Sequence, residues 1–143
     1  MSDMDEATAR ERFAAGRVAR LATVGGAGRP HLVPVCFAVD GDCVFTAVDA
    51  KPKRGPDLKR LDNIRSHSDV TVLVDHYEEA WDRVWWVRAD GRARVVEEGP
   101  DVARAHDLLR RKYEQYRGQT ALLDRVVVID VVTWRWWTSS SAG

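Results

Sequence analysis

Apolar residues recur along the chain in short segments that glycine, proline and charged residues separate. Segments of this length that are rich in β-branched residues predict strands. In chain order they cover residues 18–24, 30–39, 43–48, 70–75, 83–89, 92–97 and 125–132, the last extended or bent through 133–138. Asp40-Gly41 and Asp90-Gly91 each separate two such segments, and an Asp-Gly pair in that place predicts a tight hairpin.

Three further segments have helical spacing. The first runs from Met4 to Gly16, and the second begins near Pro56 and carries apolar residues at 58, 61 and 64. The third opens at Gly99-Pro100, where Asp101 is the expected N-cap. One face of this third helix is expected to be apolar, with Val102, Ala105, Leu109, Tyr113 and Tyr116.

The order of these elements predicts the fold class. Two antiparallel meanders with short helices between them indicate a mainly β (α+β) protein, an antiparallel split β-barrel of six to seven strands. Crossover helices after each strand are missing, and the glycines at 25–28 lie between two strands, so a Rossmann fold is disfavoured. We expect one domain over residues 1–138 and a loose tail over 139–143.

The segment 30–39 is apolar on both faces, which predicts a central, buried strand. Pro34 is unexpected in that position because proline has no amide hydrogen to donate to a sheet. Two interpretations stay open: an ordinary edge-strand proline, or a bulge where a ligand meets the backbone.

Composition narrows the classes of function. The chain has 143 residues, with 22 basic and 22 acidic side chains, which argues against a surface devoted to nucleic acid. The chain has no run of about 18 apolar residues, so no transmembrane helix is predicted. Residues 1–11 are acidic and lack the apolar core of a signal peptide, so we expect a cytoplasmic protein with no membrane partner.

The cysteines and histidines predict no metal site and no disulfide. Cys36 and Cys43 flank the predicted hairpin at Asp40-Gly41, where Cys43 would face Ala38 and Cys36 would face Phe45. Because the two thiols are not opposed, we expect them to be reduced. The four histidines have no close spacing, which disfavours a metal centre.

The chain concentrates basic charge in one place, although its net charge is zero. Five basic residues follow the strand at 43–48 and lead into the second helix: Lys51, Lys53, Arg54, Lys59 and Arg60. A basic loop before a helix N-terminus favours a bound phosphate, since backbone N–H groups and the helix dipole attract an anion there. The alternative is an ordinary solvated basic surface.

The chain resembles a known family in five places. They are Arg20 to Val24, Gly28 to Phe37, Lys51 to Ile64, Val70 to Asp75, and Trp81 with Trp85 to Ala93. In their order and spacing these segments resemble the pyridoxamine-phosphate-oxidase-like split β-barrel family. The similarity is closest to its actinobacterial branch of oxidoreductases that use the deazaflavin coenzyme F-420.

This resemblance implies a homodimer that holds a flavin or deazaflavin at the subunit interface. Two alignments of the phosphate-binding residues are open: one gives the role to Arg60 and Asn63, the other to Lys51, Lys53 and Arg54. Thr46 would hydrogen-bond the phosphate or the ring system, and Arg88 would reach the partner's cofactor. The backbone at Val33, Pro34 and Val35 would meet the edge of the heterocycle.

The six tryptophans of the chain include candidates for a substrate pocket. Trp85 and Trp86 are adjacent on a predicted strand, so they face opposite sides. In the predicted second hairpin they would face Val96 and Val95 respectively. Trp81 precedes that strand and is a third candidate, and Trp134 and Trp136 are expected to share one face.

The cofactor, rather than an acid–base pair, would supply the chemistry, and the sequence assigns no catalytic residue. The leading interpretation is hydride transfer from reduced F-420 to a small unsaturated or heteroaromatic substrate. FMN is the alternative cofactor, in a flavoprotein of the pyridoxamine-phosphate oxidase type. A non-enzymatic cofactor-binding protein is a third interpretation, and an RNA-binding barrel is disfavoured because the basic residues cluster in one loop.

Overall fold

The structure is a computed structural model that describes residues 4–48, 56–117 and 125–139. Its described residues form one antiparallel sheet of seven strands. These strands are β1 (Ala19–Val24), β2 (Pro30–Val35), β3 (Ala38–Asp40), β4 (Cys43–Val48), β5 (Asp69–His76), β6 (Trp85–Val96) and β7 (Arg125–Thr138). The helices are α1 (Glu6–Ala15), α2 (Pro56–Ser66), α3 (Pro100–Lys112) and α4 (Glu114–Arg117), with a 3-10 turn at Trp81–Arg83.

The two longest strands, β6 and β7, hold the sheet together. The strand order is β2-β1-β5-β6-β7-β4-β3, and β6 pairs with β7 along its whole length. The first part of β6 also pairs with β5, whereas the first part of β7 pairs with β4. One long two-stranded ribbon therefore carries a different set of strands at each end, which confirms the predicted antiparallel split barrel.

The register between β6 and β7 shifts at Gly91. A Cβ atom on Gly91 would lie 3.0 Å from the Cα of Val131 and would overlap the carbonyl of Asp130. The predicted hairpin at Asp90-Gly91 is wrong, because β6 continues through both residues as one strand. Gly91 lies opposite a bulge in β7, where Val132 is the extra residue. The predicted pairing of Trp85 and Trp86 with Val96 and Val95 is wrong for the same reason.

The segment 30–39 is also two strands rather than one. Cys36 and Phe37 separate β2 from β3, and β2 is an edge strand of the described sheet. The prediction of a central strand is wrong, and Pro34 lies opposite Arg20 on the edge strand. An edge strand tolerates proline because one side of its backbone has no neighbouring strand to bond.

The turn between β3 and β4 lies one residue later than predicted. Asp40 pairs with Cys43 and Ala38 pairs with Phe45, so Gly41 and Asp42 form the turn. The predicted partners of Cys43 and Cys36 are therefore wrong. Both thiols are free.

Helices α1 and α2 cover one face of the sheet and α3 packs near β3 and β4. Phe13 of α1 and Leu61 of α2 are fully buried in the main core. From α3 and the residue after it, Ala105, Leu109 and Tyr113 are buried, as the helical spacing predicts. Gly99 rather than Asp101 is the N-cap of α3, with φ of 101°, and Asp101 instead accepts a hydrogen bond from Arg94 at 3.0 Å.

Ser139 is the last residue that the structure describes. Ser139 donates its backbone N–H to the carbonyl of Val84 at 3.0 Å. Residues 140–143 lie outside the described residues. No helix among the described residues is long and apolar enough to cross a membrane.

Candidate functional site

A small cleft lies where β2, β4, α2 and α4 meet, and we call it the β2–β4 cleft. Its volume is about 130 Å³. It is lined by Pro34, Val35, Cys36, Thr46, Ala47, Arg60 and Tyr116. Four of these residues, Pro34, Val35, Thr46 and Arg60, belong to the set that the sequence predicts for cofactor binding. The fold thus brings together residues from three separate segments of the chain.

Arg60 supplies the positive charge of the β2–β4 cleft. It lies on α2 and is 5% exposed, with buried Leu61 and Ile64 on the same helix. A guanidinium keeps its charge at any physiological pH and presents several N–H donors in one plane, which suits a phosphate or carboxylate. The cleft can therefore bind an anionic group close to the β2 backbone.

Asn63 lies one helical turn further along α2 and has a different environment. Its side-chain Nδ2 donates to Thr23 Oγ1 at 3.0 Å, and both side chains are buried. Its Oδ1 lies 3.1 Å from the position that a Cβ on Gly25 would take. Asn63 thus connects α2 to the β1–β2 turn, and it is not among the residues that line the β2–β4 cleft.

Several predicted cofactor residues lie away from the β2–β4 cleft or outside the described residues. Val33 is half-buried and packs against the main core. Lys51, Lys53 and Arg54 lie outside the described residues, so their role stays a prediction.

A hydrogen-bonded junction lies behind the β2–β4 cleft. The hydroxyl of Tyr113 accepts from the Phe37 N–H at 3.1 Å and lies 2.9 Å from the carbonyl of Arg17. Burial raises the pKa of Tyr113, so its hydroxyl stays protonated. Sequence reasoning assigned Tyr113 only to the apolar face of a helix, because its partners are distant in the chain.

A broad groove crosses the outer face of the sheet, and we call it the outer groove. Its volume is about 440 Å³. It is lined by Arg20, Ala22, Leu32, Thr71, Leu73, Asp75, Trp86 and Arg88. The guanidinium of Arg88 lies 5.7 Å from the Trp86 ring and donates to Asp90 at 3.0 Å. Trp86 and Arg88 therefore share one surface, and neither lines the β2–β4 cleft.

The three tryptophans predicted for a substrate pocket do not meet. Trp85 faces the opposite side from Trp86, as predicted, and packs against the core beside His76, with ring centroids 6.1 Å apart. Trp81 is 68% exposed and donates its ring N–H to Tyr77 Oη at 3.1 Å. Trp134 and Trp136 both pack against the main core, which confirms that they share a face.

The side chains that could ligate a metal ion do not cluster in the described parts of the chain. Within residues 4–48, 56–117 and 125–139, no three His, Cys, Asp or Glu side chains are grouped so that they could hold a metal ion. The described residues offer a cleft for an anion and an apolar groove instead.

Solved structures of the same fold come from several bacteria. A conserved hypothetical protein of Mycobacterium tuberculosis is 23% identical with a TM-score of 0.76, over 96% of this chain and 86% of that chain. A heme storage protein of Vibrio cholerae is 16% identical with a TM-score of 0.70, over 93% of each chain. An FAD-binding protein of Mesorhizobium loti is 18% identical with a TM-score of 0.65, over 92% of this chain and 93% of that one.

Sequence comparison gives the family directly. None of the curated proteins matches the chain. The model of the family described as pyridoxamine 5'-phosphate oxidase matches residues 5–138, which is nearly the whole sequence. The chain therefore belongs to the pyridoxamine 5'-phosphate oxidase family.

Proposed function

We propose that this protein is an oxidoreductase that binds the deazaflavin coenzyme F-420 and uses its reduced form to transfer a hydride to a small unsaturated or heteroaromatic substrate. The observation that carries the proposal is the β2–β4 cleft. There Arg60 lies with Pro34, Val35 and Thr46, as the resemblance to deazaflavin-dependent oxidoreductases implies. Membership of an oxidase family supports a redox function.

The β2–β4 cleft fits the anionic part of such a cofactor better than its ring. At about 130 Å³ it is smaller than the roughly 300–1,000 Å³ of a typical small-molecule pocket. Arg60 suits a phosphodiester, because charge-assisted bonds to a guanidinium are strong and directional. The tricyclic ring would then lie beside the cleft, against the backbone edge at Pro34 and Val35.

A ring held beside the cleft needs a further surface to cover it, and we propose that a second copy of the chain provides it. The outer groove and its border expose apolar side chains: Leu32 in the groove is 66% exposed, and Trp137, the strand partner of the groove residue Trp86, is 46% exposed. Exposed apolar surface of this kind is typical of subunit interfaces. Arg20 and Asp75 lie 3.6 Å apart in this groove and add charge to it.

In this proposal the chain binds the coenzyme, orients its ring and excludes water from the ring. The bound coenzyme supplies the hydride. Arg60 neutralises the charge of the coenzyme's tail, and the β2 edge sets the position of the ring. Trp86 and Arg88 line the outer groove, and a second copy of the chain would place its own cofactor against this groove. Trp81 and Trp85 lie on other surfaces of the chain, so Trp86 is the tryptophan that we assign to the substrate side.

FMN is the second candidate cofactor, in a flavoprotein of the pyridoxamine-phosphate oxidase type. A structural neighbour is an FAD-binding protein, and a single phosphate would also suit Arg60. A non-enzymatic cofactor carrier is the third candidate, since another neighbour is a heme storage protein.

Turnover assays separate these candidates. The purified protein is mixed with reduced F-420 and a panel of enones, quinones and tetrapyrroles, and F-420 oxidation is followed by its absorbance. We expect oxidation that depends on both the protein and one class of acceptor. Binding of F-420 without turnover on any acceptor would favour a carrier, and turnover with FMN alone would favour the flavoprotein.

A further inference from the structure

The two residues between β2 and β3 have their backbone groups held by side chains rather than by a strand. Cys36 and Phe37 lie outside both strands, so their backbone groups need other partners. The carbonyl of Cys36 accepts from the Thr46 hydroxyl at 2.7 Å. The N–H of Phe37 donates to the Tyr113 hydroxyl at 3.1 Å, and the carbonyl of Phe37 lies 3.1 Å from the same oxygen.

These hydrogen bonds lie in the interior. Thr46 is 1% exposed, Phe37 is fully buried and Tyr113 is 5% exposed. A buried polar group that loses its partner pays the full cost of leaving water, so each bond strongly favours this path of the backbone. The link between β2 and β3 is thus positioned by β4 on one side and by the end of α3 on the other.

The same link forms a wall of the β2–β4 cleft. Cys36 lines the cleft together with Pro34 and Val35, which precede it on β2. Tyr116, which lines the cleft from α4, stacks edge-on against Tyr113 with ring centroids 5.7 Å apart. Tyr113 therefore contacts the backbone link on one side and a cleft residue on the other.

The Thr46 hydroxyl has one proton, and it is donated to the carbonyl of Cys36. A deprotonated phosphate oxygen accepts hydrogen bonds and donates none, so this hydroxyl has no proton left for it. Any effect of Thr46 on the anion is then exerted through the backbone that it holds.

We propose that Thr46 and Tyr113 are positioning residues for the cofactor: they fix the Cys36-Phe37 link and with it the wall of the β2–β4 cleft. This inference rests on the proposed function, because it concerns the same cleft. It adds two side chains that act at a distance from the cofactor, and it ties the end of α3 to cofactor binding.

The test compares three variants, Thr46→Val, Thr46→Ser and Tyr113→Phe. Valine keeps the shape of threonine without its hydroxyl, serine keeps the hydroxyl, and phenylalanine keeps the ring of tyrosine. Affinity for F-420 and for FMN is measured by fluorescence titration of the full chain. We expect Thr46→Val and Tyr113→Phe to bind about tenfold more weakly, and Thr46→Ser to stay within about twofold of wild type.

A stability-matched control separates positioning from general destabilisation. Val72→Ala removes buried side-chain volume from β5, on a strand that is not paired with β2 or β4. We expect it to lower the unfolding midpoint and leave cofactor affinity unchanged. Equal losses of affinity in Val72→Ala and Thr46→Val, or wild-type affinity in Thr46→Val, would overturn the inference.

A second measurement keeps the inference separate from the proposed function. Hydrogen exchange of the Phe37 amide, followed by NMR in the free protein, reports the link without any cofactor. We expect exchange to be at least tenfold faster in Tyr113→Phe than in wild type. If the wild-type chain bound neither cofactor, the proposed function would fail, whereas wild-type exchange at Phe37 in Tyr113→Phe would refute the anchoring itself.

Discussion

The ammonium of Lys112, the last residue of α3, donates a hydrogen bond to the backbone carbonyl of Ala14 near the end of α1, at 3.0 Å. In return, Arg17 donates to the carbonyl of Lys112 at 2.9 Å. The C-terminal end of α1 thus receives a cation from α3, and the end of α3 receives one from Arg17, two residues after α1. These contacts satisfy terminal carbonyls and complement the helix dipoles. The ammonium also lies 3.7 Å from the centroid of the Phe37 ring.

Stability should depend on pH through Lys112. Burial, and then the nearby charge of Arg17, lower the pKa of Lys112 from 10.5 to about 8. Between these two values the unfolded chain binds more protons than the folded one, so stability should rise with pH. Below about pH 8 the amine is charged in both the folded and the unfolded chain, so the full free-energy cost of burying this charge lowers stability.

Urea denaturation at a series of pH values from 7.5 to 9.5 measures this effect as the difference between wild type and Lys112→Met. Taking the difference cancels the contributions of titrating groups that the substitution leaves unchanged. We expect the stability of wild type, relative to Lys112→Met, to increase across the series. Lys59→Met, a change at an exposed lysine of α2, is the control and should follow wild type. A constant difference between wild type and Lys112→Met would contradict the prediction.

Gly91→Ala should destabilise the fold. A Cβ at this position overlaps backbone atoms of β7, which cannot move aside as a flexible side chain can. We expect a loss of about 1–3 kcal/mol, the range for a forced fit in a packed interior. Gly26→Ala is the matched control, because its nearest neighbour would be Ser66 Oγ at 3.9 Å. Equal unfolding midpoints for the two variants in chemical denaturation would show that the bulge tolerates a side chain.

Arg60→Ala should weaken F-420 binding by at least tenfold, since a charge-assisted hydrogen bond contributes about 1.5–3 kcal/mol. Arg65→Ala, an exposed arginine on the same helix, is the control and should bind like wild type. Both variants are checked for folding by circular dichroism before the fluorescence titration.

The triple replacement of Lys51, Lys53 and Arg54 by alanine tests the alternative assignment of the anion site. A loss of well over tenfold in the triple variant, together with normal affinity in Arg60→Ala, would move the site to the segment before α2. Losses in both would mean that the two sets of basic residues act together.

Asn63→Ala should lower the free energy of unfolding, because it removes the hydrogen bond to Thr23. It should leave the affinity for F-420 unchanged.

Leu73→Arg should disrupt the proposed dimer. Leu73 lies in the outer groove with Arg20 and Arg88 as its cross-strand neighbours, so a third arginine there would bring like charges together on a largely apolar surface. Sedimentation should show a dimer for wild type and a monomer for the variant, whereas Tyr77→Arg, at an exposed position outside the groove, should leave a dimer. A monomeric wild-type protein, or a dimeric Leu73→Arg variant, would contradict the proposed interface.

The places of most strands and helices along the chain could be predicted from the sequence because β-branched segments and turn residues are local signals. Gly91 was misread because an Asp-Gly pair looks the same in a hairpin turn and at a bulge. The neighbouring strand β7 decides between a turn and a bulge, and its residue Asp130 is distant from Gly91 in the chain. The division of segment 30–39 was missed for a similar reason, since the side chains of Thr46 on β4 and of Tyr113, the residue after α3, hold the Cys36-Phe37 link.

The candidate site was predicted in part. Pro34, Val35, Thr46 and Arg60 meet in the β2–β4 cleft as the family resemblance implies. Cys36 and Tyr116 were missed as cleft residues, and Tyr116 was predicted only as part of the apolar face of the third helix. Trp81, Trp85 and Trp86 could not be placed, because alternation along a strand gives opposite faces without saying which face is buried.

A fluorescence titration that compares F-420 with FMN on the same purified protein tests the identity of the cofactor. We expect F-420 to saturate one site per chain with an affinity at least tenfold higher than that of FMN, and Arg60→Ala to weaken the binding of F-420. Retention of stoichiometric FMN through purification, with no binding of added F-420, would contradict this expectation.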